Sequence, residues 1–513
     1  MASMLERLRA LKAKGVLSNI PVAEPLRSEP EMTPAEALAV FGHASFRSGQ
    51  EEIINEIING RDGVLAIYPT GYGKSLLYQV PAIIVEGMTI VVSPLIALMK
   101  DQVDKLQKVG IKAILVNSSL SAKQEREAIG EVISGVVKIL YVSPERFENE
   151  DFNRSINGLN VGLMAIDEAH CISRWGHDFR RSYAKLGSVI RRVRPKRVVA
   201  LTATATKEVQ DDICENLGMR NAKRFVRGVY RPNLSLAVEW GYGNSRVEAM
   251  RQIVGALNKE GSNTGIVYAP TRAVAESICQ YFRAGGIDAS FYHAGLGSKE
   301  RTAIQNKWSE NGGVIVATCA FGMGIDRPDV RFVIHSGLSS SIEDWYQEIG
   351  RAGRDGADAL CVSFWDAGKD YETQMTLINM SNPGGDEAKS FWVWLKRLAV
   401  MEAKPGADTV TINLTQKDMG LRSGCFNVGG CISFLKKVGM VVTLGKGKYR
   451  VSVNGGENLD FSEMDERRQS KIRKVDEVVR FYSTKDCRVA FICDYFGDTS
   501  FAGKCGTCDN CTA

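Results

Sequence analysis

Short apolar runs typical of β-strands alternate with helical patterns through the first half of this 513-residue chain. Repeated strand–helix alternation builds a parallel sheet with helices on both faces. The strand-like runs of the first set are residues 64–67, 89–92, 137–142, 161–166 and 197–201, and those of a second set are residues 265–268, 313–317, 330–335 and 359–364. The sequence therefore predicts two α/β lobes, over about residues 41–235 and 236–368.

The region beyond the second lobe has a different pattern. Its predicted elements are helices at residues 391–401 and 427–438 and strands at residues 409–414, 441–444 and 449–453, with a basic turn, Gly445-Lys446-Gly447-Lys448, between the last two strands. Helices followed by a hairpin predict a winged-helix-like domain over residues 386–455. A charged helix at 467–482 then leads into a cysteine-rich end, which predicts a helical module over residues 456–513.

The first 40 residues are charged and contain four prolines. We expect one or two helices and a connector there, forming a mobile appendage.

A glycine-rich segment follows the first strand and precedes an apolar helical pattern. It contains Thr70, Gly71, Gly73, Lys74 and Ser75. In a strand–loop–helix setting, glycines let backbone N–H groups approach phosphates, the lysine reaches the β- and γ-phosphates, and the serine hydroxyl ligates magnesium. We therefore predict a site for ATP and Mg²⁺. The alternative is a chance match, which the preceding strand and the following helix disfavour.

Two further groups complete the pattern of an ATP motor. Asp167 and Glu168 follow the strand at 161–166, where Asp167 would hold magnesium and Glu168 would orient or activate the attacking water. Arg351 and Arg354 lie one helical turn apart in the second lobe and would stabilise charge on the transferred phosphoryl group when the lobes close. The alternatives are a solvated helix start for the acidic pair and a solvated basic helix for the arginines.

Four cysteines near the end of the chain have the spacing of a metal site. Cys487, Cys505, Cys508 and Cys511 would form the closed tetrahedral set of a structural Zn²⁺ site. Cys493 is the competing ligand, but helical spacing places it in an apolar stretch, and we interpret it as a core residue. The other cysteines are dispersed, which is typical of a cytosolic protein rather than of a disulfide framework.

Positive charge is concentrated in the predicted winged domain. The whole chain has a net charge of +6, whereas residues 386–455 alone contain 11 Lys+Arg against 5 Asp+Glu, also a difference of +6. We predict that Lys446 and Lys448 contact nucleic-acid phosphates without reading sequence. The predicted wing tip has no aromatic residue, and Tyr449 is the nearest candidate for one that replaces lost base stacking.

These motifs resemble those of superfamily 2 helicases, and within them the RecQ family of DNA helicases. The resemblance extends through most of residues 41–368 and includes segments 46–50, 93–102, 143–146, 201–205, 292–296 and 317–326. It implies two RecA-like lobes and an ATP-dependent DNA helicase that moves 3′ to 5′ along single-stranded DNA. It also implies that Arg47 and Gln50 contact the adenine base, that Gln347 contacts the nucleotide, and that His170 belongs to the catalytic set.

The loop at residues 173–180 is the element specific to the RecQ pattern, since DEAD-box RNA helicases share the motor but not this loop. Its candidate DNA contacts are Ser173, Arg174, Trp175, His177, Phe179 and Arg180. Stacking of a base on an aromatic ring contributes ~1–3 kcal/mol. Because the loop follows Glu168 directly, strand contact could switch hydrolysis. The alternative is that Trp175 and Phe179 are core residues.

The chain departs from the RecQ pattern in several places. Tyr68 and Tyr72 replace a small or apolar residue and a glycine, and Arg181 replaces a proline. The predicted winged domain precedes the cysteine cluster, whereas the usual RecQ order is the reverse, and we expect no further nucleic-acid module after the cluster. We therefore do not transfer the family's usual geometry of duplex contact to this chain.

We predict an α/β protein with two RecA-like lobes, a winged-helix-like domain and a helical zinc module. Its predicted activity is strand separation in DNA replication, repair or recombination, with single-stranded, forked or tailed DNA as substrate and single-strand-binding or repair proteins as candidate partners. The alternatives are a DNA translocase, an RNA-directed motor, and an annealing scaffold without strand separation. Because no apolar run has the ~20 residues that a membrane span requires, we expect an intracellular protein in the cytoplasm and nucleoid or the nucleus, without a membrane partner.

Overall fold

The computed structural model describes residues 32–60, 62–69, 71–117, 120–173, 176, 178–241, 243–322 and 327–512. Several predicted features lie outside these residues: most of the N-terminal appendage (1–31), Thr70, Arg174, Trp175, His177 and the end of segment 317–326. Within the described residues, no helix combines the length and the apolarity that a membrane span needs.

Lobe 1 is built around a parallel sheet that is buried on both faces. Its elements are α1 (Pro34–Val40), α2 (Gln50–Asn59), β1 (Val64–Ile67), α3 (Leu76–Ile84), β2 (Met88–Val92), α4 (Ile96–Lys108), β3 (Ala113–Val116), α5 (Ala122–Ile133), β4 (Ile139–Val142), α6 (Glu150–Ile156), β5 (Val161–Ile166), α7 (Arg181–Ala184), α8 (Leu186–Val193), β6 (Arg197–Thr202), α9 (Lys207–Leu217) and β7 (Lys223–Val226). The described strands pair in the order β3-β4-β2-β5-β6-β1-β7. Two apolar cores, one on each face, explain why the strands read as continuous apolar runs.

Lobe 2 repeats this architecture with a smaller sheet. Its elements are β8 (Leu234–Trp240), α10 (Gly243–Lys259), β9 (Gly265–Tyr268), α11 (Arg272–Ala284), β10 (Ala289–Tyr292), α12 (Ser298–Asn311), β11 (Val314–Ala317), β12 (Phe332–His335), α13 (Ile342–Ile349) and β13 (Ala359–Trp365). The described strands pair in parallel in the order β10-β11-β9-β12-β13-β8.

The helix α1 belongs to lobe 1, although we assigned it to the mobile appendage. Thr33 and Glu36 form a reciprocal capping box at its start, with Pro34 in the first turn. Ala37 and Leu38 are buried in the core that also contains α2 and α3. The assignment was wrong for residues 34–40 because the prolines, which indicated a connector, here include one that starts a helix.

The C-terminal region consists of a winged domain set between two long helices. Its elements are α14 (Ala367–Ser381), α15 (Gly385–Glu402), β14 (Thr409–Asn413), α16 (Gln416–Ser423), α17 (Val428–Lys437), β15 (Val441–Gly445), β16 (Lys448–Ser452), α18 (Ser462–Ser483), α19 (Arg488–Phe496) and α20 (Asp509–Thr512). The strands β14, β16 and β15 form an antiparallel sheet over helices α15–α17, which is a winged-helix arrangement with its own core.

Helices α14 and α18 pack as an antiparallel pair, and the winged domain is inserted between them. Tyr371 Oη donates to Asp476 Oδ1 at 3.0 Å, and Arg468 donates to Asn379 at 2.8 Å. The chain enters and leaves the inserted domain at neighbouring points, since the Gly385 N–H donates to Asp465 Oδ1 at 2.7 Å.

The cysteine-rich module does not have a separate core. Phe481, Tyr482, Ile492 and Phe496 are buried in the same cluster as Trp345, Tyr346 and Trp365 of lobe 2. Asp509 accepts two hydrogen bonds from Arg488, at 2.5 and 2.8 Å, and one from the Val238 N–H on the edge strand β8, at 2.9 Å. We predicted a module distinct from lobe 2, but the two form one packed unit.

Candidate active site

The glycine-rich loop after β1 lines a cavity of about 560 Å³ in lobe 1. Gly71 (φ +79°) and Gly73 (φ +83°) both have left-handed backbone, which residues with a Cβ rarely adopt. Ser75, directly after Lys74, is the N-cap residue of α3. The loop therefore has the conformation of a phosphate-binding turn that leads into a helix N-terminus.

Arg47 and Gln50 join the predicted base-contacting segment to this loop. Arg47 Nη1 donates to the Gly71 carbonyl at 2.7 Å, and Gln50 Nε2 donates to the Tyr72 carbonyl at 3.0 Å. Gln50 is 1% exposed, and its Oε1 accepts from the Arg47 N–H at 2.8 Å. Our sequence analysis missed His43, which lines the same cavity. The signal that could have indicated it was an imidazole ring only four residues before Arg47.

The acidic pair stands at the carboxyl end of β5. Asp167 Oδ1 accepts from the Glu168 N–H at 3.0 Å, and its Oδ2 accepts from the Ser93 hydroxyl at 3.4 Å. Burial raises the pKa of Asp167 and lowers the pKa of Lys74, and attraction between the two charges opposes both shifts. Burial first, and then the charge of Asp167, raises the pKa of Glu168 to about 7. Glu168 has φ +49°, a strained conformation for a residue with a Cβ.

A series of side chains connects this acidic pair to lobe 2. His170 Nδ1 lies 2.8 Å from Thr202 Oγ1 and 3.3 Å from Glu168 Oε2. Thr202 Oγ1 donates to the Thr204 carbonyl at 3.1 Å, and Gln347 Nε2, in α13, donates to Thr204 Oγ1 at 3.2 Å. His170 and Gln347, which we predicted to be catalytic and nucleotide-contacting, therefore both lie in a connection between the two lobes.

The turn after α13 brings both predicted arginines to lobe 1. A Cβ placed on Gly71 would lie 2.9 Å from Arg354 Cγ, so the Arg354 side chain packs directly on the phosphate loop. Arg351 Nη1 donates to the Gly322 carbonyl, and its charge lowers the pKa of Glu168 against the larger effect of burial. Both lobes thus contribute charged groups to one site.

Tyr72 lies between two guanidinium groups. The Arg47 carbon Cζ is 5.4 Å from the centroid of the Tyr72 ring, and the Arg231 carbon Cζ is 5.9 Å from it. Arg231 belongs to the linker between the lobes and donates to the Gly353 carbonyl, beside Arg354, at 2.6 Å. Cation–π contacts contribute about 0.5–2 kcal/mol each. Tyr72, a departure from the RecQ pattern, thus joins the phosphate loop to the arginine-bearing turn.

The described residues of the segment 173–180 include one that packs against His170. Ser173 is fully buried, and a Cβ on Gly176 would lie 2.4 Å from the His170 carbonyl oxygen, so any larger residue there would displace the loop. Arg180 donates to Asp178 Oδ2 at 2.8 and 3.0 Å, and Phe179 is partly buried. Gly176 thus packs against His170, the residue that joins Glu168 to Thr202 in the connection to lobe 2.

Cys487, Cys505, Cys508 and Cys511 come together. Their sulfur atoms all lie within 4.8 Å of one another, and Cys505 Sγ is 3.9 Å from Cys511 Sγ. A tetrahedral site with Zn–S bonds of about 2.3 Å requires sulfur separations of roughly 3.8 Å. The Cys505 N–H donates to Cys487 Sγ at 3.3 Å, as expected around thiolates. These residues fit a zinc ion. Cys493 is 1% exposed and packed in the lobe 2 core, which confirms our interpretation.

The predicted wing exposes its lysines but not its aromatic residue. Lys446 and Lys448 are exposed at the hairpin between β15 and β16. Tyr449 is 5% exposed and lies opposite Ile412 in the core of the winged domain. Because side chains alternate along β16, exposure of Lys448 requires burial of Tyr449. The prediction that Tyr449 could replace lost base stacking was therefore wrong.

Two buried polar atoms indicate that the interlobe site fits a nucleotide. Glu168 Oε2, whose polar neighbour is His170 Nδ1 at 3.3 Å, and Arg351 Nε are buried and make no hydrogen bond among the described residues. Unsatisfied buried polar atoms are costly, and at a catalytic site a bound water molecule or ligand can satisfy them. A carboxylate oxygen suits a water molecule, a guanidinium N–H suits a phosphate oxygen, and the lysine and aspartate beside them suit Mg²⁺·ATP.

Three family profiles match this chain: DEAD/DEAH box helicase over residues 47–212, helicase conserved C-terminal domain over residues 245–356, and RecQ zinc-binding over residues 449–512. The chain is 44% identical over 329 residues to the ATP-dependent DNA helicase RecQ of Haemophilus influenzae, covering 64% of this chain and 52% of that protein. It is 41% identical over 350 residues to the probable ATP-dependent DNA helicase RecS of Bacillus subtilis, covering 68% and 69% respectively. The match to the RecQ proteins of H. influenzae, B. subtilis and Pasteurella multocida spans only 51–57% of their length.

Solved structures share the fold at low sequence identity. The DEAD-box helicase Mss116 bound to ssRNA has a TM-score of 0.52 and 18% identity, covering 70% of this chain and 75% of that one. The Mycobacterium smegmatis helicase Lhr bound to ssDNA has a TM-score of 0.52 and 17% identity, covering 82% and 60%.

Proposed function

The chain belongs to the RecQ family of superfamily 2 helicases, and on that premise we propose that it is an ATP-dependent DNA helicase. We propose 3′-to-5′ movement on single-stranded DNA with unwinding of forked or tailed duplexes, in replication, repair or recombination. The observation that carries the proposal is the hydrogen bond from Gln347 to Thr204. It attaches the helix that precedes Arg351 and Arg354 to the strand end beside the acidic pair, so that closure of the lobes and assembly of the catalytic site are one event.

We assign the residues of the site as follows. Lys74 and the backbone of the phosphate loop bind the phosphates, and Arg47 and Gln50 lie where the base would bind. Ser75 and Asp167 would hold a magnesium ion, which supplies charge neutralisation at the β- and γ-phosphates. Glu168 orients the attacking water through its buried carboxylate, and Arg351 and Arg354 stabilise charge on the phosphoryl group.

His170 acts as a positioning residue. It touches both Glu168 and Thr202, so a shift of the loop at 173–180, whose Gly176 packs against the His170 carbonyl, changes the position of the Glu168 carboxylate. DNA on the loop would thereby alter hydrolysis. The zinc ion held by the four cysteines would be structural, because all four ligand positions are protein thiolates.

Strand separation should be measured on duplexes with a 3′ or a 5′ single-stranded tail, with ATP and magnesium, against Lys74→Ala. The proposal predicts unwinding of the 3′-tailed duplex by wild type and none by the variant. Hydrolysis stimulated by single strands without unwinding would instead favour the alternative, a translocase or an annealing scaffold. An equal rate on tailed RNA duplexes would overturn the DNA assignment.

We propose that the protein acts on DNA inside the cell, at the nucleoid or in the nucleus, alongside single-strand-binding or repair proteins.

A further inference from the structure

The most exposed large apolar side chain among the described residues lies in the winged domain. Phe426 is 96% exposed, and Leu421, in the preceding helix, is 77% exposed. Phe426 occupies the turn between α16 and α17, the position of the turn in a helix–turn–helix unit.

The backbone that carries Phe426 is held rigidly. Glu387 Oε1, in α15, accepts hydrogen bonds from the Phe426 and Asn427 N–H groups at 2.8 and 3.0 Å. Asn427 Oδ1 accepts from the Gly430 N–H at 2.8 Å and so caps α17. An exposed ring on a fixed backbone is preorganised, because binding then orders little more than the side chain itself.

The same turn is connected directly to the motor. Asn427 Nδ2 donates to the Met380 carbonyl at 2.7 Å, and Met380 lies in the last turn of α14, which extends from lobe 2. Near the other end of α14, Asp370 pairs with Arg246 of lobe 2 at 3.0 Å, a buried ion pair. The position of Phe426 therefore follows the position of lobe 2.

The charge of this part of the chain favours a polyanion as partner. Residues 412–452 contain Lys417, Arg422, Lys436, Lys437, Lys446, Lys448 and Arg450, and their only acidic residue is Asp418. Lys437 pairs with Glu463 of α18, which leaves the other six basic residues for contacts with phosphates. The Asp418 carboxylate already accepts the Thr415 hydroxyl and N–H in a capping box. Apolar side chains that insert between base steps and basic residues that hold the phosphates are a recurrent combination in proteins that distort duplex DNA.

We propose that Phe426 is the strand-separating wedge of this protein: its ring inserts between bases at the junction of duplex and single-stranded DNA, and lysines and arginines of the same domain hold the backbone. This inference rests on the proposed helicase function. It assigns strand separation to the turn between α16 and α17 rather than to the wing, whose aromatic residue, Tyr449, is buried.

The test uses the full chain with Phe426→Ala, Phe426→Trp and, as a matched control, Met401→Ala. Met401 is 82% exposed at the far end of α15, so its substitution also removes an exposed apolar side chain from the winged domain. Because exposed side chains contribute little to folding, all three variants should fold. We expect Phe426→Ala to lower unwinding of a 3′-tailed duplex about tenfold, with ATP hydrolysis stimulated by single strands unchanged within about twofold. Phe426→Trp and Met401→Ala should match wild type.

A second measurement needs no hydrolysis. A 2-aminopurine base at the duplex junction becomes more fluorescent when it is unstacked, so wild type should raise its fluorescence without ATP and Phe426→Ala should not. Failure of wild type to unwind, with this signal retained, would count against the helicase function and not against the wedge. Absence of the signal with wild type would overturn the wedge. Signals and unwinding by Phe426→Ala that equal those of wild type would also overturn it, and would favour a protein partner as the ligand of Phe426.

Discussion

The carboxylate of Asp498, in the zinc module, accepts a hydrogen bond at 2.9 Å from the backbone N–H of Val229, in the linker between the two lobes. The Val229 carbonyl in turn accepts from the Tyr346 hydroxyl of α13 at 2.9 Å, and Phe501 lies 4.6 Å from Tyr230, ring centroid to ring centroid. The zinc module thus holds the segment about which the lobes would move.

Replacing Asp498 with alanine should therefore destabilise the protein without removing a metal ligand. The Val229 N–H would be buried without a partner, and we expect the free energy of unfolding to fall by about 1–3 kcal/mol. Asp494→Ala, at an exposed position in the preceding helix α19, is the control and should change it by less than about 0.5 kcal/mol. Urea denaturation measures both variants. Equal midpoints for Asp498→Ala and wild type would contradict the role of this bond.

Removal of the Thr204 hydroxyl should slow ATP hydrolysis. Thr204→Val retains the shape of the side chain but deprives Gln347 of its acceptor, whereas Thr204→Ser retains the hydroxyl. A single neutral hydrogen bond contributes about 0.5–1.5 kcal/mol, so kcat with single-stranded DNA should fall roughly three- to tenfold for valine and remain near wild type for serine. Equal kcat values for the two variants would show that closure does not depend on this contact.

Loss of the Tyr72 ring should weaken binding of ATP. Tyr72→Ala removes the contacts with Arg47 and Arg231, and Arg47 lines the cavity where the base would bind. We expect the KM for ATP to rise about fivefold to tenfold for alanine and to change little for Tyr72→Phe, because the phenyl ring preserves both cation–π contacts. Steady-state hydrolysis across ATP concentrations gives both values. An unchanged KM for alanine would assign Tyr72 to packing alone.

Gly176→Ala should reduce the stimulation of ATP hydrolysis by DNA much more than it reduces basal hydrolysis. The added Cβ would lie 2.4 Å from the His170 carbonyl oxygen, so residue 176 and His170 must move apart. We expect basal hydrolysis within about threefold of wild type and a loss of most of the stimulation by single strands. Gly130→Ala, in a helix of the same lobe with open space around it, should behave as wild type.

Removal of zinc should destabilise lobe 2 as well as the module, because the two share one core. Cys511→Ser should lose the bound zinc and unfold at a lower temperature, whereas Cys493→Ala should retain one zinc ion per chain although it also lowers stability through a small cavity. Metal analysis with thermal unfolding distinguishes these effects. Zinc loss from Cys493→Ala, with retention in Cys511→Ser, would reverse the ligand assignment.

The parallel sheets could be predicted because strands buried on both faces are apolar throughout, as in 161–166. Short strands flanked by polar residues, such as β10 (Ala289–Tyr292), contain too few apolar residues to form a recognisable pattern, and our sequence analysis missed them. The phosphate loop, the acidic pair and the four cysteines were predictable because each is defined by residues close together in the sequence.

Contacts between distant segments could not be predicted in this way. The bond between Asp498 and Val229 joins residues 269 positions apart, and neither residue is unusual in its own segment. Likewise, Phe426 lies among apolar neighbours in the sequence, and only the folded structure shows that Cys425 and Val428 are buried while Phe426 is not.

The insertion of the winged domain between α14 and α18 has a mechanical consequence. A domain attached through a single linker can rotate about that linker. Movement of the neighbouring domain is then transmitted to it only in part. Here two chain crossings, at Gly385 and near Phe461, lie side by side, and the bond from Asn427 to Met380 adds a third point of attachment. Three points of attachment resist torsion, so we expect a rotation of lobe 2 to turn the winged domain through the same angle.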